Sequence, residues 1–189
     1  NDIAESNQVP NDVPVGLASP GPLDPRTGVV YFSPNLPGWT NIPLAAKLRE
    51  RTKREVVLSN DANAAALGEV FFGAGKGTRN LLYLGLGTGV GGGIYSEGLL
   101  IDGVRGMGGE LGHVTVDLNG PRCTCGSVGC IEAYTSAWAL TRDALALVDS
   151  GRGDAILRAA GDRDNVGPRA LGQAASDGDA ATLALLERA

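Results

Sequence analysis

Aromatic side chains are scarce in this sequence: three Phe, four Tyr and two Trp in 189 residues. Its core must be closed by small and aliphatic side chains, and a hydrophobic content of 43 % is enough to build a sizeable one. Long apolar runs are also missing. None approaches the ~20 residues a membrane span requires, which argues against a transmembrane helix. Positive charge is in deficit, with 16 Lys and Arg against 21 Asp and Glu and a net charge of −5. That balance argues against a nucleic-acid surface in this segment and against a zinc-ribbon nucleic-acid module. The opening stretch, NDIAESNQVPNDVP, has neither the basic nor the apolar part of a signal peptide. Histidine occurs once and cysteine three times. Reduced thiols and no export signal point to the cytoplasm. What is abundant is glycine, with 29 residues, which suits tight turns and close packing of small side chains.

The scarce residues gather in one place. Glu110 to Glu132 reads ELGHVTVDLNGPRCTCGSVGCIE and holds the single His113 with Cys123, Cys125 and Cys130, spaced H-x9-C-x-C-x4-C. Three soft thiolates and an imidazole suit a closed tetrahedral zinc site, structural and not hydrolytic. Gly120, Pro121, Gly126 and Gly129 supply the turns between ligands. Two other readings stand beside this one: unrelated buried cysteines with a core histidine, or a disulfide and one spare thiol. A metal on one ring nitrogen of His113 would leave the other to bond a ligand.

Taken in order, Val13 to Ala18 reads as a buried strand ending at a turn, Ser19 to Pro22, and Gly28 to Phe32 as a second strand. Ser33 to Trp39, SPNLPGW, is loop. Asn41 is the expected cap of a helix over 42–53, and Glu55 to Leu58 the next strand. Asn60 and Asp61 open a helix over 62–72. GAGKGT, Gly73 to Thr78, is the expected connector between domains, giving lobes 1–77 and 78–189; an ordinary surface loop is the other reading. Asn80 to Leu86 reads as a buried strand, followed by strands within 87–95 and 99–101. His113 to Leu118 looks strand-like. Helices are expected over 131–136, 137–150, 155–160 and 168–175, with a last one capped by Asp179. The whole is α/β.

Several of these residues carry chemistry of their own. Asp61 lies where a strand gives way to a helix, a usual place for a site in an α/β sheet, and a carboxylate there can take a hydroxyl proton. It can equally be a plain helix cap. Asn60, Glu110, His113 and Glu132 offer amide, carboxylate and imidazole groups to a polar ligand, although isolated glutamates are normally just solvated. Gly87, Gly89 and Gly92 satisfy G-x-G-x-x-G, but the β-like IYSEGLLIDG follows in place of a helix. A strand-turn-strand whose N–H groups and Thr88 hydroxyl meet phosphates fits better; a hairpin with no ligand is the other reading. Lys76 and Arg79 read as solvated surface.

These stretches resemble the ROK family of repressors, open reading frames and sugar kinases. The resemblance is carried by E-x-G-H followed by C-x-C-G-x-x-G-C-x-E, by LGLGTGVGGGI and GMGGELGH, and by SPNLPGW and NDANAAALGE. It covers most of Val13 to Ser136 and is nearest to glucokinase-like members. It implies the actin-like ATPase (ribonuclease H-like) fold, with two lobes and a cleft. It implies ATP-dependent phosphorylation of a hexose, glucose first, at the 6-hydroxyl, with Asp61 as base and Asn60, Glu110, His113 and Glu132 on the sugar. Gly21 and Asn35 match the family's sugar loop, and Gly87, Thr88 and Gly89 its phosphate turn. The implied cofactors are zinc on His113, Cys123, Cys125 and Cys130, ATP, and magnesium with the nucleotide; the implied assembly is a homodimer or homotetramer. The other implied reading is a sugar-sensing repressor with its DNA-binding part outside this chain. The family's D-x-G-G-T turn and the end of its adenosine pocket have no counterpart here. The chain reads as truncated at both ends, and this segment alone is expected to phosphorylate poorly or not at all.

Overall fold

The computed structural model describes residues 9, 10, 12–33, 36–104 and 106–189. Contacts divide the chain into two compact units, Asn1–Tyr83 with Gly92–Glu110, and Leu84–Gly91 with Leu111–Ala189.

In the first unit β1 (Val15–Ser19) and β5 (Val56–Asn60) pair in parallel, from Val15 opposite Val56 to Ser19 opposite Asn60. Between them run β2 (Leu23–Asp24), β3 (Val29–Phe32) and β4 (Thr40–Ile42), an antiparallel set in the order β2-β3-β4. Helix α1 (Leu44–Thr52) follows. Leu23, Val30, Ala45, Val56 and Leu58 form the buried cluster, with Trp39, Leu44 and Leu48 against it. The DPRTG turn must end in glycine: Gly28 has φ 72°, and a Cβ there would lie 2.4 Å from Ala45 Cβ. Helix α1 begins later than the expected 42, and Asn41 does not cap it. Ile42 pairs with Val30, which draws 40–42 into the sheet. Asn41 sits in β4 at φ 51°, and Pro43 takes the cap position without a side-chain bond.

Helix α2 (Asp61–Phe72) starts directly from β5. Asn60 Oδ1 accepts the N–H groups of Ala62 and Asn63 at 2.9 and 3.1 Å. Its alanine face lets glycine approach: a Cβ on Gly93 would lie 2.6 Å from Ala66 Cβ and 3.1 Å from Ala62 O. β6 (Leu81–Leu86), β7 (Val90–Ser96) and β8 (Leu99–Leu100) form a three-stranded sheet. β6 is not the fully buried strand expected. Side chains alternate between faces at period two, and Leu82, Leu84 and Leu86 are exposed.

In the second unit a 3-10 turn, Leu111–His113, precedes the cysteine loop, and only an isolated bridge, Thr115 with Cys130, stands where 113–118 looked strand-like. Glycine-spaced turns leave no length for a ladder there. Then come α3 (Glu132–Thr135), α4 (Ala137–Asp149), α5 (Asp154–Ala160), α6 (Pro168–Ser176) and α7 (Ala180–Leu186). Ala144, Leu147, Ile156, Val166, Ala170, Leu171, Ala174 and Leu185 form their core, with Leu140 and Val148 of α4 packed against it. Ser136 caps α4 through Ala139 N, and Asp179 caps α7 through Thr182 N, as the sequence suggested for the latter. Among the described residues no helix is long and apolar enough to cross a membrane.

Candidate functional site

The second unit holds the four soft ligands together. The Sγ atoms of Cys123, Cys125 and Cys130 and a ring nitrogen of His113 lie within 4.8 Å of one another. Cys123 Sγ is 3.6 Å from His113 Nδ1, and Cys125 Sγ is 3.8 Å from Cys130 Sγ. Two atoms bound tetrahedrally at ~2.0–2.3 Å from one ion stand about 3.5–3.8 Å apart, whereas a disulfide needs ~2.05 Å. The three thiols are free of disulfides, so the spacing matches a metal cage and not a cystine.

The loop is shaped by backbone bonds and by glycine. Gly126 N–H donates to Cys123 O, and Cys123 N–H to Ser127 O. Gly129, at φ 63°, lies where a Cβ would be 1.6 Å from Asp117 O. Tyr134 donates its hydroxyl to Asp117 Oδ2 at 3.0 Å, and Trp138 packs on Cys123, Cys130 and Ala133. Burial pushes the Cys123 thiol up to about 11, while the Ser127 N–H holds Cys125 below the usual thiol range. A buried thiol of that kind gives up its proton at neutral pH only beside a cation, which is what zinc on this donor set supplies. The residues therefore fit the metal on both spacing and chemistry.

Glu132 stands beside this cage. It is buried, with Oε1 accepting the Thr124 hydroxyl and Oε2 the Val90 N–H. Val90 closes the glycine turn, in which Gly87 N–H donates to Gly89 O at 2.9 Å. Thr88 is exposed at its tip. The structure thus brings together in one unit His113, Glu132, the cysteines and the turn of Gly87, Thr88 and Gly89.

Gly21, Asn60, Asp61 and Glu110 belong to the first unit. Asp61 is the first residue of α2 and is exposed, at the C-terminal end of the parallel pair β1–β5. Asn60 performs the capping, which is one of the two roles open to Asp61. Since Asn60 Oδ1 is committed to that cap, its amide hydrogens are what it can offer a ligand. Gly21 has φ 87°, and a Cβ would meet Phe32 O at 2.4 Å, so a turn role is fixed by sterics. Glu110 is exposed and follows Gly109, at φ 89°. Asn35 lies outside the described residues. Arg79 pairs with Glu97 at 3.2 Å on the surface, and Lys76 is exposed.

Sequence reasoning passed over three polar residues. Asn63 is buried on the alanine face of α2, donates Nδ2 to Asp102 Oδ1 at 3.3 Å, and its Oδ1 has no partner among the described residues. Burial pushes the Asp102 carboxyl up. Thr124 holds Glu132. The available signal was a lone amide between Ala62 and Ala66, where a packing face has no use for one.

A sequence profile described as the ROK family matches residues 3–189. The chain belongs to the ROK family. The ROK chain is 44 % identical over 174 residues to a glucokinase of Thermotoga maritima, covering 92 % of this chain and 55 % of that protein. It is 41 % identical over 128 residues to the xylose repressor of Bacillus subtilis, covering 68 % and 33 %. Among solved structures, a ROK family glucokinase from Streptomyces griseus in complex with glucose and AMPPNP superposes with TM-score 0.78 at 36 % identity, covering 94 % of this chain and 58 % of that one. The fold is thereby the actin-like ATPase fold of ROK sugar kinases, an α/β architecture. This ROK chain spans about half the length of the glucokinase relatives it matches.

Proposed function

We propose that the chain carries the sugar-binding and catalytic residues of an ATP-dependent hexose kinase acting on the 6-hydroxyl, with glucose the first substrate to test. Asp61 accepts the proton of that hydroxyl as its oxygen bonds to the γ-phosphorus and the bond to the β-phosphate oxygen breaks. Asn60, Glu110, His113 and Glu132 hold the ring, and Gly21 and Asn35 shape the sugar loop. The N–H groups of Gly87, Thr88 and Gly89 with the Thr88 hydroxyl meet phosphates. Sugar loop and base fall in a lobe of 1–77, and turn and metal loop in one of 78–189. Zinc, held by His113, Cys123, Cys125 and Cys130, supplies fixed loop geometry when bound. Magnesium accompanies the nucleotide. A cytoplasmic homodimer or homotetramer is the proposed setting.

The observation that carries this reading is the exposed Asp61 at the head of α2, where the Asn60 side chain is the helix cap and Asp61 Oδ1 also accepts the Ala62 N–H at 2.9 Å. Similarity to glucokinases supports it. The test is a coupled phosphorylation assay on the full-length protein with glucose, mannose, N-acetylglucosamine and N-acetylmannosamine. Asp61→Asn is expected to lose at least about a thousandfold in kcat with sugar affinity nearly unchanged. Joint loss of both would make Asp61 structural. The second reading, a sugar-sensing repressor, is favoured by the similarity to the xylose repressor. Sugar binding without phosphorylation of any hexose by the full-length protein would select it.

A further inference from the structure

Glu132 was expected on a sugar, yet its carboxylate is engaged on two sides. Oε2 accepts the Val90 N–H at 2.9 Å and Oε1 the Thr124 hydroxyl at 3.2 Å, with the residue 7 % exposed. A Cβ at Gly89 would stand 2.6 Å from Oε2, so the carboxylate fills the space a side chain at 89 would need. The same turn is held from two more directions. Ala137 N–H donates to Gly87 O at 2.9 Å, and Gly112 approaches so closely that a Cβ there would be 2.1 Å from Val90 O.

We infer that Glu132 is a positioning residue for the glycine turn: its carboxylate ties the metal-held loop to Val90 and makes nucleotide binding depend on the order of that loop. The inference rests on reading 87–89 as the phosphate turn. A glycine turn is costly to order. Fixing it before a nucleotide arrives removes that cost from binding. A buried hydrogen bond to a carboxylate is stronger than one between neutral groups, which suits it to the task. The bond also assigns amides. The Val90 N–H belongs to Glu132, so phosphate oxygens are met by Thr88 and Gly89. The Val90 and Thr124 donors, with Cys123 Sγ 3.8 Å from Oε1, blunt the charge of the carboxylate, so that it does not repel a nearby phosphate. Oε1, held by the exposed Thr124 hydroxyl, is the oxygen a sugar hydroxyl can share, while Oε2 stays with the turn.

The test uses full-length, metal-loaded protein without sugar and measures affinity for the magnesium complex of a non-hydrolysable ATP analogue by calorimetry. Glu132→Gln keeps an oxygen for the Val90 N–H, and its nucleotide affinity is expected to stay within about threefold of wild type. Glu132→Ala has none and is expected to weaken by about tenfold or more; hexose affinity falls in both. Equal nucleotide affinity in wild type and Glu132→Ala, with metal content and melting profile retained, overturns the inference. So does equal loss in the two variants, which would point to charge and not to the bond. If Glu132→Ala loses its metal or its fold, hydrogen exchange on the wild-type holoprotein decides. The Val90 amide is expected to exchange at least about tenfold more slowly than the exposed Thr88 amide, and equal rates overturn the role. A wild type that binds no nucleotide overturns the kinase reading, and the tether's purpose with it, whatever the variants do.

Discussion

Asn60 caps α2 and is proposed to bind a sugar with the same amide, and the two roles can be separated. Its oxygen caps α2, while its hydrogens are what it can offer a sugar. Asn60→Asp keeps the cap, so unfolding free energy should move by less than about 0.5 kcal/mol. It removes the donor, so the sugar KM should rise severalfold in the phosphorylation assay. Unchanged KM would remove Asn60 from the sugar site. Gly129 poses a steric question. With φ 63° and a virtual Cβ 1.6 Å from Asp117 O, Gly129→Ala cannot be accommodated without moving the loop. Metal content measured by elemental analysis is expected to fall below one zinc per chain. At this scale the sequence was most legible where chemistry restricts residue type. The quartet of His113, Cys123, Cys125 and Cys130 could be read from spacing alone because thiolates and imidazole have few other reasons to gather. Asn63 and Asp102 could not, because an amide and an acid in ordinary sequence give no sign that a buried amide will meet a half-buried carboxylate.

Among the elements, the metal loop is the one with least apolar support. Val114, Val116 and Leu118 all point outward, and only Cys123, Cys130 and Ala133 form its core, with Trp138 against them. Removal of the metal by a strong chelator is therefore expected to lower the thermal midpoint by several degrees and to expose Trp138 to solvent, read by a red shift of its fluorescence. Helix α4 makes a contrast, because its stability is local. Ser136 is fully buried and its hydroxyl accepts the Ala139 N–H, so Ser136→Ala should cost about 1 kcal/mol in denaturant unfolding. The span of α4 and the Asp179 cap of α7 were readable from the chain, whereas the Ser136 cap of α4 was not. Nor was the start of α1. Asn41 has the chemistry of a cap, but pairing of Ile42 with Val30, a long-range contact, claimed it for a strand. Likewise NLLYLGL reads as buried because leucines stand on both faces, and composition cannot say which face finds a partner.

For the molecule as a whole, pH acts through carboxyls of opposite sign. The Arg26 N–H holds Asp24 below the usual carboxylate range, and the Thr182 hydroxyl does the same for Asp179. Their contributions are present above the ordinary value of 3.8 and are lost as pH falls through the lower folded values. Asp102, raised by burial, runs the other way: its contribution is complete below 3.8 and lost as pH rises through its folded value. Asp102→Asn keeps an oxygen for Asn63 and removes a partly desolvated charge, so the melting temperature at pH 7 should rise. Asp179→Asn should instead flatten the loss of stability on acidification. A melting temperature that falls in Asp102→Asn would show that the charged form is favoured by groups beyond Asn63.

The chain passes between its two compact units at 83/84, 91/92 and 110/111. No single cut can then release either one intact. A recombinant piece starting at Leu111 would carry every cysteine yet lack Leu84–Gly91, and with it the amide that Glu132 grips. Dissection of this protein into autonomous halves is best attempted by splicing 84–91 back through a designed linker, because simple truncation leaves a buried acid without the Val90 N–H.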